Sequence, residues 1–223
     1  TYKFGNGTWA TKKGSTLAYS DTNNAFKPLP FSFERNSIGT RVNKEGLIEV
    51  VGNDIPRIDY TDSTEGALLL ENSSTNLITY SEDFSQSVWS LGSNTVLTYE
   101  PNITAPDGSL GVYRLTLSAQ SSTFLQFQTG SGNTNYTGSI YAKSASGNDE
   151  GFNLFYGGTS SNRFITNNDW LRYDYNDSGT QFTIVNDGDE FVTDIYIWGA
   201  MLEQGSVASS YIPTNGSTVQ RAA

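Results

Sequence analysis

Short runs in which side chains alternate with period two dominate this sequence, and runs of that kind fit half-buried β-strands and little else. Phe191-Val192-Thr193-Asp194-Ile195-Tyr196-Ile197-Trp198 is the clearest, with Phe191, Thr193, Ile195 and Ile197 on one side and Val192, Asp194, Tyr196 and Trp198 on the other. Val112 to Leu117, Thr123 to Phe127, Gly138 to Lys143, Phe152 to Tyr156, Arg163 to Ile165, Trp170 to Tyr175 and Gln181 to Val185 read the same way, which predicts at least eight strands between residues 76 and 204. Helix signals are nearly absent. Turn clusters such as Ser131-Gly132-Asn133, Asp177-Ser178-Gly179 and Asp187-Gly188-Asp189 separate the runs at the spacing of a sandwich. The expected fold is all-β: an antiparallel two-sheet jelly-roll sandwich around a common core, preceded by an irregular β-rich N-terminal segment.

Three regions are expected. Residues 1–75 form an attachment or lead-in segment, Gly-, Thr- and Asn-rich at its start and punctuated by Pro28 and Pro30. Residues 76–205 form the jelly roll. Residues 206–223 read as an extended tail with a turn at Pro213-Thr214-Asn215-Gly216.

Composition narrows the chemistry. The chain has no His and no Cys, which removes most zinc and haem sites, the Ser-His and Cys-His nucleophilic pairs and any disulfide framework. Stability must come from a core or from association with other chains. The formal charge of −10, from 13 basic and 23 acidic side chains, argues against nucleic-acid binding, which needs cations to displace phosphate counterions. No apolar run approaches the roughly 18 residues of a membrane-spanning helix, so no membrane insertion is expected. The start at Thr1 rather than Met suits a processed or excised chain. Asn-x-Ser/Thr triplets such as Asn6-Gly7-Thr8 are what a sequence rich in these residues yields by chance.

Three phrases carry a family resemblance. The first is Arg41-Val42-Asn43 with Gly46-Leu47-Ile48-Glu49 and Pro56-Arg57-Ile58-Asp59-Tyr60. The second runs from Leu68-Leu69-Leu70-Glu71 through Thr75-Asn76-Leu77-Ile78-Thr79-Tyr80-Ser81-Glu82-Asp83-Phe84 to Trp89. The third is Trp198-Gly199-Ala200-Met201-Leu202-Glu203-Gln204-Gly205, closing on Ser210-Tyr211-Ile212-Pro213-Thr214. Together they resemble bacteriophage tail and head-fibre proteins with a jelly-roll domain like a carbohydrate-binding module. The resemblance implies a setting on the virion surface, other virion proteins as partners, and a homo-oligomer, with a trimer as the expected state. It also implies that Arg41, Arg57, Asp59 and Glu71 form structural ion pairs.

The candidate site residues are aromatic. Tyr and Trp stack on the apolar faces of sugar rings while their polar tips hydrogen-bond. Trp170, Tyr173 and Tyr175 are expected on one strand and opposite the apolar face, Tyr136 and Tyr156 in or beside loops, and Trp89 and Trp198 in the core. The competing reading is that aromatics simply suit a pleated sheet. Glu82 and Glu203, expected just beyond the first and last sandwich strands, could hold a structural Ca2+, with two solvated edge charges as the alternative. No other cofactor and no catalytic residue is expected. The carboxylate clusters Glu82-Asp83, Asp187, Asp189-Glu190 and Glu203 are the only ordinary acid–base material. The expected function is non-enzymatic adhesion of a fibre, spike or head decoration to a bacterial-surface or environmental polysaccharide. The alternatives are an oligomerising spacer without ligand, or a fragment of a polysaccharide-degrading tailspike.

Overall fold

The computed structural model describes residues 17–20, 25–28, 33–119, 123–128, 134–155, 161–179, 181–186 and 192–223. The chain divides into two compact units, Thr1–Ser74 with Ser209–Ile212 and Gln220–Ala223, and Thr75–Ala208 with Pro213–Val219. Among the described residues there are strands and turns but no helix.

The first unit contains three antiparallel hairpins: β1 (Leu17–Ser20) with β2 (Ala25–Pro28), β3 (Gly39–Val42) with β4 (Ile48–Val51), and β5 (Ile58–Asp59) with β6 (Ala67–Leu68). Asn43 closes the β3–β4 turn, its Oδ1 accepting from the backbone N–H groups of Glu45 and Leu47 at 3.0 and 2.9 Å. Among the described residues of this unit Val51, Ile58, Tyr211 and Ile212 are buried, together with three arginines, Arg35, Arg57 and Arg221. Arg35 donates to the carbonyls of Ser37, Ile55, Val51 and Gly52. Arg57 donates from one terminal nitrogen to Glu71 and Ser210, both at 2.7 Å, and Arg221 Nη2 stands 3.6 Å from the same Glu71 oxygen. Of the four residues expected in ion pairs, Arg57 pairs with Glu71 and Arg41 with Glu49 at 3.1 Å. Asp59 instead caps backbone, accepting from the N–H groups of Val42 and Thr61.

After β7 (Ser74–Asn76) the second unit follows as two five-stranded antiparallel sheets. The strands are β8 (Trp89–Leu91), β9 (Thr95–Thr104), β10 (Leu110–Leu117), β11 (Phe124–Gln128), β12 (Asn135–Ser144), β13 (Glu150–Phe155), β14 (Ser161–Thr166), β15 (Leu171–Ser178), β16 (Gln181–Asn186) and β17 (Thr193–Gln204), and β18 (Val219–Arg221) lies near the chain end. One sheet has the order β15-β12-β17-β10-β9, the other β14-β13-β16-β11-β8. This is the jelly-roll sandwich that the alternation predicts.

Register explains the core. Leu115 opposes Ile195 and Ala142 opposes Ile197 in the first sheet, while Leu125 and Leu154 both oppose Ile184 in the second. All of these are fully buried, together with Ile140, Phe152 and Phe182. Each such side chain contributes about 1.5–3 kcal/mol relative to exposure.

Several expectations shift. β9, ten residues long, was not predicted, because Thr95 to Thr104 is broken by Pro101 and mixes polar and apolar side chains on both faces. β17 continues to Gln204 and is buried from Ile197 through Glu203, so alternation ends where both faces are covered. Within residues 206–223, expected as an extended tail, Tyr211, Ile212, Thr214 and Arg221 are buried. Their partners lie far away in sequence, as when the Thr40 hydroxyl donates to the Tyr211 carbonyl, and such contacts leave no local signal. The turns at 131–133 and 187–189 lie outside the described residues.

Candidate functional site

A pocket of about 450 Å³ opens on the second unit, lined by Tyr80, Glu82, Asp83, Tyr99, Tyr113, Thr214 and Asn215. Two backbone segments and two strands build it. Ser81 N–H donates to the Thr214 carbonyl at 3.3 Å and Thr214 N–H donates back to Ser81 Oγ at 2.8 Å. Thr214 Oγ1 donates to the Ile78 carbonyl and Gly216 N–H to the Thr79 carbonyl. Tyr80 bridges Asn215 across this seam. The Trp89 indole fixes the segment from below by donating to the Tyr80 carbonyl at 3.0 Å.

Strands β9 and β10 supply the other wall, where Tyr99 opposes Tyr113 in register. Tyr113 starts the inward-facing series that continues as Leu115 and Leu117, so its ring is part of both core and pocket. A chain of rings runs outward from the interior: Phe127 to Trp89 at 5.6 Å, Trp89 to Phe84 at 4.9 Å, Phe84 to Tyr113 at 5.6 Å, and Tyr113 to Tyr99 at 5.4 Å. Tyr99, the last of them, is 54% exposed and presents apolar ring to solvent. The register of β9 against β10 shifts between Leu110 and Val112, where Pro101 offers no N–H to the ladder and Gly111 adopts φ +108°.

The acid in this pocket is fixed. Asp83 Oδ1 accepts from Tyr113 Oη at 2.7 Å, Ser85 Oγ at 2.6 Å and Ser85 N–H at 3.1 Å, and Oδ2 accepts from Gln86 Nε2 at 2.7 Å. Partial burial pushes its pKa up, but these donors outweigh it and hold Asp83 at about 2. Burial, with the neighbouring carboxylate, raises the Tyr113 phenol, so that hydroxyl stays protonated and donating. The pocket thus combines ring faces, a permanent carboxylate acceptor, and hydroxyl and amide groups able both to donate and to accept.

The aromatic residues expected to bind are not brought together. Tyr136 and Tyr173 belong to the core cluster; Tyr173 packs on Phe152 and Phe164 at 5.3 and 5.4 Å and donates to the Ile165 carbonyl. Tyr175 lies half-buried against the same cluster. The expectation of exposure failed on parity: Tyr173 and Tyr175 point inward, whereas Trp170 precedes β15 and shares the outward parity of Arg172. Trp170 Nε1 donates to the Thr104 carbonyl at 2.8 Å and its ring holds the Lys143 ammonium at 5.0 Å, while Tyr196 holds it at 5.7 Å. Desolvation lowers the Lys143 pKa, partly countered by Asp169. Tyr156 lies outside the described residues. Trp89 and Trp198 are buried as expected, Trp198 packing edge-on to Tyr141 at 5.7 Å.

Glu203 lies inside β17, buried opposite Thr137, rather than solvated beyond a strand end, and Glu82 lines the pocket. Among the described residues no group of three or more His, Cys, Asp or Glu is placed to hold a metal ion.

No family model matches the chain, and no curated protein matches it in sequence. Among solved structures it is similar to the CBM22-1–GH10 modules of an endo-1,4-β-D-xylanase from Clostridium thermocellum, solved with xylohexaose. That match has 15% identity and a TM-score of 0.42, over 59% of this chain and 28% of that one. It is also similar to a CBM22-1 xylan-binding domain from Paenibacillus barcinonensis, with 8% identity and a TM-score of 0.41, over 60% of this chain and 94% of that one. A third is the enzymatically active domain of a tailspike protein of bacteriophage CBA120, with 13% identity and a TM-score of 0.36, over 59% of this chain and 21% of that one.

Proposed function

We propose that this protein is a non-enzymatic carbohydrate-binding component of a phage particle, and that the Tyr80–Tyr99–Tyr113 pocket receives the sugar. The observation that carries the reading is the placement of an exposed Tyr99 ring beside a hydrogen-bonded, ionised Asp83 in one pocket of ligand size. Ring stacking removes the apolar face of a sugar from water, and the carboxylate and Asn215 take its hydroxyls. Asp83 is unsuited to the general-acid role of a glycosidase: a carboxyl that protonates a glycosidic oxygen has a raised pKa, and this one is held at about 2. The virion setting, adhesion to a bacterial-surface or environmental polysaccharide and trimeric assembly are supported by the resemblance of the three sequence phrases to tail and head-fibre proteins. Single-site affinity is then weak, with many copies per particle compensating.

A glycan array probed with the wild-type protein and with Tyr99→Ala tests the reading. Retention by wild type that the variant loses supports it; a wild-type protein that retains no glycan at all overturns it. Sedimentation of the full chain tests the trimer, and a monomer at micromolar concentration would exclude it.

A further inference from the structure

We propose that the pocket discriminates by charge, taking neutral or amino-bearing glycan units and rejecting units that carry carboxylate or phosphate; the inference rests on the binding reading above. Among the described residues its lining holds two acids, Glu82 and Asp83, and neither Lys nor Arg. The nearest basic residue in sequence to the Tyr113 wall is Arg114, which points to the opposite face of β10 and is held by Asp194 through two hydrogen bonds at 2.8 and 2.6 Å. No cation of that strand therefore turns toward the pocket.

Asp83 cannot escape the conflict by protonation. Four donors converge on it, three of them on Oδ1, so the carboxylate is pinned with Oδ2 as the oxygen better able to accept a further hydroxyl. A sugar hydroxyl or ammonium can donate there. A second carboxylate brings only lone pairs and a like charge, and like charges a few ångströms apart disfavour one another even near the surface. The Tyr113 hydroxyl, which could otherwise donate to an anionic sugar, is committed to Asp83. The formal charge of −10 adds a repulsive field of longer range.

The test uses matched polymers: hyaluronan and alginate, each beside its carboxyl-reduced form, which keeps the backbone and loses the charge. Neutral glucan, galactan and mannan, with amino-bearing chitosan, complete the panel. Retention of the full chain is measured at about 0.01 M and about 1 M salt, where the Debye length is about 30 Å and about 3 Å. The expected result is binding of the reduced forms roughly tenfold tighter at low salt, a gap that narrows at high salt and in Glu82→Gln, with Tyr99→Ala losing the reduced forms as well. Equal retention of acidic and reduced polymers, or tighter retention of the acidic ones, overturns the selectivity while leaving the binding reading intact. Retention of nothing on the panel overturns both.

Discussion

The ring of Tyr99 lies across Gly111, filling the space that a Cβ at position 111 would need. This close approach aims the exposed phenol at the pocket, and Gly111 permits it twice over, having no side chain and accepting φ +108°. Gly111→Ala must move the ring and adopt a backbone conformation that costs an L-residue about 1–2 kcal/mol. Tyr99→Ala removes the ring without the strain. Both variants are expected to lose glycan retention, and only Gly111→Ala should also lower the melting temperature, by roughly 2–4 °C per kcal/mol. Retention by Gly111→Ala at the wild-type level would show that the position of Tyr99 is immaterial.

Tyr113→Phe separates the hydrogen bond from the ring. The ring contacts at 5.4 Å to Tyr99 and 5.6 Å to Phe84 should survive, while Asp83 loses one of its donors. The Asp83 carboxyl is then expected to titrate above its present value of about 2, which carbon-detected NMR of the side chain can follow. An unmoved titration would show that Ser85 and Gln86 alone hold it.

Part of this site is singled out by the sequence, where Glu82 and Asp83 stand out as carboxylates, but its aromatic wall is not. Tyr80, Glu82 and Asp83 stand in one resembling phrase and Thr214 closes another, and the fold brings the two phrases together through Ser81 and Thr214. The sandwich itself was readable because Leu115 and Leu117 alternate with Arg114 and Thr116, and Thr193 and Ile195 with Asp194 and Tyr196. Alternation does not say which face is inner when both carry aromatics, and the inward position of Tyr173 is therefore not legible in its strand. Tyr99 was missed with its whole strand, because β9 breaks register around Pro101 and its aromatic gains meaning only beside Tyr113, a partner that sequence periodicity does not specify.

Glu71 makes the stability of the first unit sensitive to acid. Burial raises its pKa, but hydrogen bonds from Ser210 and Arg57, with the charge of Arg221, outweigh this and leave it below the ordinary carboxylate value. A carboxyl depressed on folding contributes stability that is complete above its unfolded pKa, about 4.3, and fades as pH falls through the folded value. Glu71→Gln leaves Arg57 and Arg221 buried without their anion and should cost about 3 kcal/mol at neutral pH. Urea denaturation of both proteins from neutral pH to well below 4.3 is expected to show the difference shrinking only in the acid range. A constant difference across the series would exclude the linkage.

Trp170 offers the sharpest contrast between two faces of the sandwich. Its indole donates to the Thr104 carbonyl at 2.8 Å and its ring carries Lys143 at 5.0 Å. Both interactions are at least partly solvated, where a hydrogen bond contributes about 1 kcal/mol and a cation–π contact about 0.5–1 kcal/mol. Trp170→Ala should therefore lower the melting temperature by only a few degrees and let the Lys143 pKa rise as the ammonium regains water. Glycan retention should not change, because the pocket is built around Tyr99 and Tyr113 and Trp170 is not among its lining residues. Retention on the array and a thermal melt, run beside Tyr99→Ala, check both halves. If Trp170→Ala loses binding while Tyr99→Ala keeps it, the sugar sits on the Trp170–Tyr196 face and the pocket assignment is wrong.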